Sequence, residues 1–426
     1  MRLLALAASF LLCLSAQAQQ IADLEALIAH SGWKTNFQPI VGYNSDTGFG
    51  FGTFADIVDY GYDPGIYPGF NHRIHLETEY CTRGLGLFFG EYESSRLIPG
   101  IHLTASFSFL DDPMARFYGF GGDITSYDRS IDMQEGIAFY NFKRNRLTAS
   151  CVLDGMLTER LGWNAGIAFR HFRDGDLDRK GYDHYYTLYN LYKSYGIIGS
   201  NEFEGSGMEF RAGLSWDSRN NIQAPDYGIF AEAMFIGSPD LFGTGYAWLK
   251  FASSLRAFWT PGPEWMTLAC RLAFQDTIAG DSPFCFHQTL YPSGRTVWYE
   301  EGLGGMTTVR GMLPGRLVGA GYAWANIELR MRVAKWDLDG SVMSLSVYPF
   351  FDAGTITRSI RLDGLAALTG ETEKELAARA GTMHCSAGFG TRCALDGANS
   401  ICIEFAAPLK GNDGSFGLTT SLSHLF

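Results

Sequence analysis

The dominant pattern along the chain is a period of two. Between Tyr322 and Val333, one face collects Ala323, Ala325, Ile327, Leu329, Met331 and Val333, and the other Tyr322, Trp324, Asn326, Glu328, Arg330 and Arg332. A strand separates two such sets onto opposite faces of a sheet, whereas a helix mixes them. Ile101 to Phe109 alternates in the same way, His102, Thr104, Ser106 and Ser108 against Ile101, Leu103, Ala105, Phe107 and Phe109, and so does Met208 to Asp217. Sixteen segments of this kind can be traced, beginning near Phe37, Gly48, Arg73, Leu85, Ile101, Gln134, Gly162, Met208, Tyr227, Gly245, Met266, Tyr322, Val342, His384, Ile401 and Phe416. Most span about 9 to 12 residues, the length a tilted strand needs to cross a bilayer. The sixth is longer and is expected to project beyond the membrane. An even strand number is expected of a single-chain bacterial outer-membrane barrel.

Connection lengths sort by side. With a periplasmic N-terminus, every second connection is periplasmic and short. Leu97-Ile98-Pro99-Gly100, Thr158 to Leu161 and Thr260-Pro261-Gly262-Pro263 belong to that set, in which Tyr60 to Asn71 is the longest. The opposite set holds the long loops Asp111 to Met133, Phe172 to Gly207, Thr277 to Gly321 and Ala353 to Met383. A lipocalin-like barrel or a two-sheet sandwich also alternates, but neither has a reason to sort its loops by side. Closure in lipid leaves no edge strand and satisfies every backbone group. The expected fold is therefore all-β, a 16-stranded antiparallel transmembrane β-barrel over residues 36–426.

Composition narrows the alternatives. The 426 residues include 51 glycines, 15% aromatic and only 18% charged residues, which excludes disorder; glycine at every third position is lacking, which excludes collagen. No uncharged apolar run reaches the length of about 18 residues that a membrane helix needs. A net charge of -12 without a basic cluster excludes nucleic acid as a partner. Residues 1–18 read as a signal peptide: Arg2, the apolar stretch Leu3 to Leu14 and the small-x-small site Ala16-Gln17-Ala18 make Gln19 the first mature residue. Cys13 lies within the apolar stretch behind Phe10-Leu11-Leu12, which argues against a lipid anchor. Residues 19–35 form a short periplasmic segment in which Ile21, Leu24, Leu27 and Ile28 suit one face of a short helix. The seven mature cysteines are odd in number and scattered, so they read as apolar fillers rather than a disulfide framework or a zinc site.

Alternation places ten acids in the lumen, Asp56, Glu77, Glu79, Asp154, Glu209, Asp217, Glu232, Glu328, Asp352 and Glu404. Nine bases join them: Arg73, Arg170, Arg211, Lys250, Arg256, Arg271, Arg330, Arg332 and Arg392. A strongly selective pore favours one sign; a balanced set suits paired networks that brace the lumen or hold an inserted loop.

The stretch Gly304-Gly305-Met306-Thr307-Thr308-Val309-Arg310-Gly311-Met312, followed by Arg316 and the strand ending Glu328-Leu329-Arg330, resembles the bacterial surface antigen barrel of the BamA/TamA superfamily. Other stretches resemble it in order along the chain: Val41 to Gly50, Tyr118-Gly119-Phe120-Gly121-Gly122-Asp123, Trp216-Asp217-Ser218-Arg219-Asn220, Phe350-Phe351-Asp352-Ala353-Gly354, Gly388-Phe389-Gly390-Thr391-Arg392 and Phe426. The resemblance implies that the long sixth extracellular loop folds into the lumen. There Val309, Arg310 and Gly311 form a latch, with Asp352 as the first partner of Arg310 and Glu404 as the second. Asp217, Arg219, Arg392 and Phe426 are further motif positions. The last strand is expected to carry Phe416, Leu418, Leu422 and Phe426 on one face, as the family's assembly signal does. Three features depart from the family: Met312 where an aromatic residue is usual, His424 at a usually apolar position, and an N-terminal segment too short for a POTRA domain. The resemblance further implies protein translocation or assembly at the outer membrane, with client polypeptides and periplasmic proteins as partners beside outer-membrane lipid. The alternative is a passive or regulated pore, or a structural surface barrel without clients.

Chemistry is not expected. Gly280-Asp281-Ser282 is followed by Pro283 in a loop and reads as a turn, with Asp281 and His287 the only residues keeping a hydrolase in view. No catalytic residue, cofactor or metal is assigned. Thr372 to Ala380 is expected to form a short helix with a Thr372/Glu375 capping box, stopped by Gly381.

Overall fold

The computed structural model describes residues 32–44, 48–61, 69–132, 134–222, 224–291, 300–338, 341–395, 399–421 and 425–426. Residues 1–18, read above as a signal peptide, residues 19–31, Leu422 and His424 lie outside the described residues, and the barrel begins earlier than expected, because Trp33, Lys34 and Thr35 already pair with β2. One sheet of 16 strands dominates. Its strands are β1 (Trp33–Asn44), β2 (Gly48–Asp59), β3 (His72–Cys81), β4 (Gly86–Ile98), β5 (Ile101–Arg116), β6 (Asn141–Met156), β7 (Leu161–Gly175) and β8 (Glu204–Asp217). They continue as β9 (Gly228–Ser238), β10 (Trp248–Trp259), β11 (Met266–Gly280), β12 (Gly321–Leu338), β13 (Ser341–Arg358), β14 (His384–Leu395), β15 (Asn399–Pro408) and β16 (Gly417–Ser421). Strands pair in sequence order, each antiparallel to the next; among the described residues no ladder joins β16 to β1. The sheet curls round on itself, so that β6 and β13 both bond to the loop after β11.

The two faces differ as the alternation requires. Phe37, Phe51, Tyr80, Phe107, Leu214, Phe235, Leu272, Ile327 and Phe389 all point outward and are exposed, Phe37 to 68%. An apolar girdle of this extent has no place in water and fits a bilayer. The opposite faces of the same strands bury Asn326, Glu328 and Arg330 on β12 and Glu209 and Arg211 on β8. Thus the chain forms a transmembrane β-barrel. Among the described residues no helix is long and apolar enough to cross a membrane.

Strand boundaries depart from the sequence reading at the loop end. β6 starts at Asn141 rather than near Gln134, because residues 117–140 turn inward: Phe117 donates its N–H to the Tyr140 carbonyl, and both rings enter an apolar cap. That cap joins Phe117, Phe120, Tyr189, Tyr192, Phe284, Leu365 and Leu376 from four of the connections to Phe142 of β6 and covers the loop end of the lumen. Glu373–Ala380 is helical with the Thr372/Glu375 capping box in place, and the chain leaves it at Gly381. A second helix, Leu362–Thr369, precedes it. Arg332 stands exposed at the turn end, where a β-bulge interrupts the alternation and its guanidinium donates to the Glu264 carbonyl, so it does not belong to the lumenal set.

Candidate functional site in the lumen

The described parts of the connection between β11 and β12, residues 281–291 and 300–320, descend into the lumen. The connection starts with a helical turn at Phe284–His287, pairs Thr289–Leu290 with Glu300–Glu301 as a small ribbon, and bridges Leu303 to Leu317. Its tip carries Val309, Arg310 and Gly311, and the first two are 0% and 1% exposed.

Each tip residue meets a wall shaped for it. Val309 packs on Gly354 of β13, where an added Cβ would stand 2.9 Å from the valine methyl. Gly311 adopts φ +83° and lies so close to β15 that a Cβ would come within 2.8 Å of Ala406; only glycine combines that dihedral with that approach. Arg310 meets Asp352 on both edges of its fork, Nε to Oδ2 at 2.8 Å and Nη2 to Oδ1 at 2.9 Å, while its own backbone N–H donates to Asp352 Oδ2 at 3.0 Å. Its Nη1 donates to Glu328 of β12 and to Glu404 of β15, each at 2.7 Å. The guanidinium lies 3.6 Å from the centroid of the Phe350 ring. Phe350 and Tyr348 can lie flat against the wall because β14 offers Gly388 and Gly390 beneath them, where any Cβ would collide with the rings. A bidentate, ring-stacked arginine is the geometry that lysine cannot reproduce. Met312 is buried in an apolar cluster with Tyr322 and Trp324, so the wall supplies the aromatic packing at the tip.

Two of the three acids are those singled out from the sequence. Glu328 was placed in the lumen by alternation but not on the latch; it joins because β12 and β13 are paired, with Asn326 beside Asp352 in register. A second anchor escaped sequence reading. Arg144 of β6, 1% exposed, grips Asp174 of β7 with two bonds of 2.8 and 2.7 Å and reaches Glu301 of the loop at 3.2 Å. Arg146 meets the other oxygen of Glu301 at 2.9 Å. Arg146 and Arg144 share the parity of Asp154 along β6, so extending that face would have found them. Between the anchors, Arg271 and Asn326 hold the carbonyls of Thr307 and Thr308, and Lys250 holds that of Phe286.

Of the remaining motif positions, Arg219 and Asp217 form a bidentate pair at the turn end, with bonds of 2.9 and 2.7 Å. Arg392 is buried on β14, in register with Cys402. Phe426 does not extend the outward face of β16; it is 8% exposed and lies in the lumen against Phe258 and Arg330. The described ladder of β16 reaches Ser421, and the Phe426 ring is drawn inward by the guanidinium groups of Arg271 and Arg330.

A cavity of about 1160 Å³ lies between the tip of the loop, β5 and β16, lined among others by Arg83, Arg116, Asp112, Met306, Gly311 and Thr419. On β2–β4 the wall charges pair with each other: Arg73 with Asp56 at 2.9 Å and Glu93 at 3.2 Å, and His75 with Asp56 at 2.9 Å.

Two clusters have reactive composition. Ser282 Oγ lies 3.0 Å from His287 Nδ1, with Asp281 3.6 Å from the other ring nitrogen. Burial, then Arg361 and Lys250, hold the His287 pKa well below the usual imidazole value, so it is a neutral base. Ser282 and His287 are 0% and 1% exposed, however, and Phe120 covers the imidazole, so a substrate carbonyl has no approach. Asp123, His384 and Asp413 place three ligand-type atoms within 4.8 Å of one another. The chain already supplies cations there: Lys410 is 2.7 Å from Asp123 and Arg316 is 3.4 Å from Asp413. Burial raises the Asp123 pKa, but the Lys410 and Thr382 hydrogen bonds outweigh it and hold the carboxyl below the usual range. This cluster ties the 117–140 connection to β14 and to the β15–β16 loop.

No protein-family model matches the sequence, and no curated protein matches it. Solved structures do. BamA from Haemophilus ducreyi lacking POTRA domains 1-3 aligns with a TM-score of 0.56 at 15% identity over 92% of this chain and 70% of that one. CdiB from Escherichia coli aligns with a TM-score of 0.55 at 11% identity over 91% of this chain and 61% of that one. The likeness is one of fold: the chain has the barrel architecture seen in those BamA and CdiB structures.

Proposed function

We propose that this barrel serves protein translocation or assembly at the bacterial outer membrane, with Val309, Arg310 and Gly311 as the latch that keeps the inserted loop in the lumen. The observation that carries the reading is the complete engagement of Arg310 by Asp352, Glu328 and Glu404 within a BamA-type fold. In this reading residues 1–18 direct export, residues 19–32 form a short periplasmic segment ahead of β1, and the barrel meets lipid through its apolar girdle. Client polypeptides and periplasmic proteins are its partners. A photo-crosslinking residue at Phe37 of β1 or Leu418 of β16 is expected to capture polypeptides in cells, and one at Leu272 on the far wall is not. Equal capture at all three positions sinks the proposal. The 1160 Å³ cavity favours a second reading, a pore. Planar-bilayer recordings separate the two: small flickering currents fit the latched barrel, and steady ohmic openings fit the pore.

A further inference from the structure

The lumenal position of Phe426 carries a consequence for the sixth loop. The ladder of β16 pairs Gly417 with Ala406 and Ser421 with Cys402, and Leu418 with Phe405 on the lipid side. Continued by period two, that face would take Phe426 into lipid, a comfortable place for a phenyl ring. Instead the ring sits among β10, β11 and β12. Phe258 lies tilted beside it with ring centroids 6.3 Å apart, Ala269 is wholly buried against it, and the guanidinium carbons of Arg271 and Arg330 each stand 5.4 Å from its centroid. Arg330 Nη2 donates to the Phe426 carbonyl oxygen at 2.9 Å. Two cations on one ring are a specific attraction that lipid cannot offer.

The same Arg330 is bound to the latch. Its Nε donates to Glu328 Oε2 at 2.9 Å, and the other oxygen of Glu328 accepts from Arg310 at 2.7 Å. A continuous line therefore runs from Phe426 through Arg330 and Glu328 to the tip of the loop. We infer that Phe258, Ala269, Arg271 and Arg330 form a lumenal seat for an aromatic residue and its main-chain carbonyl, that Phe426 occupies this seat, and that its occupancy tightens the latch through Glu328. The ligand class is set by the geometry: a phenyl ring for the two guanidinium groups and a main-chain oxygen for Arg330. The seat stands whether or not the barrel handles client polypeptides, because neither its residues nor its test involves a client.

The experiment uses the full-length protein in lipid vesicles and reads hydrogen exchange of the backbone over residues 304–313. Phe426→Ala is expected to raise exchange at the tip about tenfold, and Phe426→Tyr to leave it unchanged. Addition of N-acetyl-leucyl-phenylalanine to Phe426→Ala is expected to restore protection, whereas N-acetyl-leucyl-alanine does not. Equal exchange in Phe426→Ala and the unaltered protein overturns the coupling. Equal effects of the two dipeptides overturn the seat. Arg330→Gln provides a second route, because it keeps a donor while removing the charge: it should expose a trifluoromethyl-phenylalanine placed at position 426 to oxygen dissolved in lipid. A fluorine signal already broadened by oxygen without that substitution also overturns the proposal.

Discussion

The two halves of the lumen solve the same electrostatic problem differently. From β6 to β15 the wall charges point at a loop: Arg144 and Arg146 reach Glu301, and Asp352, Glu328 and Glu404 reach Arg310. From β2 to β4 they point at one another, Arg73 with Asp56 and Glu93, His75 with Asp56 and Glu77. The first half holds the loop; the second pairs its charges within its own wall. The anchors also have opposite polarity, since the loop brings a cation to acids at its tip and an anion to arginines at its ribbon. A loop held this way can seat in one register only, because sliding either charge to the other wall would set like charges together. Buried ions are costly unless every partner is present, so the half from β6 to β15 is committed to its loop while the half from β2 to β4 is complete without one.

That contrast can be broken in order of expected size. Arg310→Ala leaves three buried carboxylates facing one another and should cost about 3–5 kcal/mol, read as loss of heat-modifiable mobility and a lower urea midpoint. Mobility and midpoint equal to those of the unaltered protein would falsify the latch. Gly311→Ala should cost about 1–3 kcal/mol, because it demands a left-handed backbone for alanine and forces the tip off Ala406; the same assays apply, and an unchanged midpoint would mean that β15 yields at that point. Arg73→Ala should change stability by no more than about 1 kcal/mol, since its pairs are partly solvated and confined to one wall. Exchange at the loop tip should stay as it was; a rise there would show that the two halves are not independent.

Residue by residue, legibility followed the reach of each interaction. Asp352 and Glu328 could be assigned to the lumen because period two is a local property of one strand. The tip motif was readable because its three residues are contiguous. Glu301 with Arg144 was not, because the partners lie 157 positions apart in number and neither stands in a motif. The start of β6 was misplaced because the residues before Asn141 keep a strand-like composition while their rings, Tyr140 among them, are drawn into the apolar cap. Phe426 was misplaced for the converse reason: parity assigns it a face only while a neighbouring strand holds it in register.

What the sequence determined by itself is the sheet. Alternation, sixteen segments and sorted connections follow from backbone geometry and from the need of a membrane-spanning chain to satisfy its own hydrogen bonds. Tertiary structure alone decided which charges meet. Pairing across the lumen depends on how the sheet curls and how far the sixth loop descends, and neither is encoded within any one strand. It was the curl that brought Arg310 under three acids and gave Glu301 to Arg144, and it was the arginines of β11 and β12 that seated Phe426 on the lumen wall.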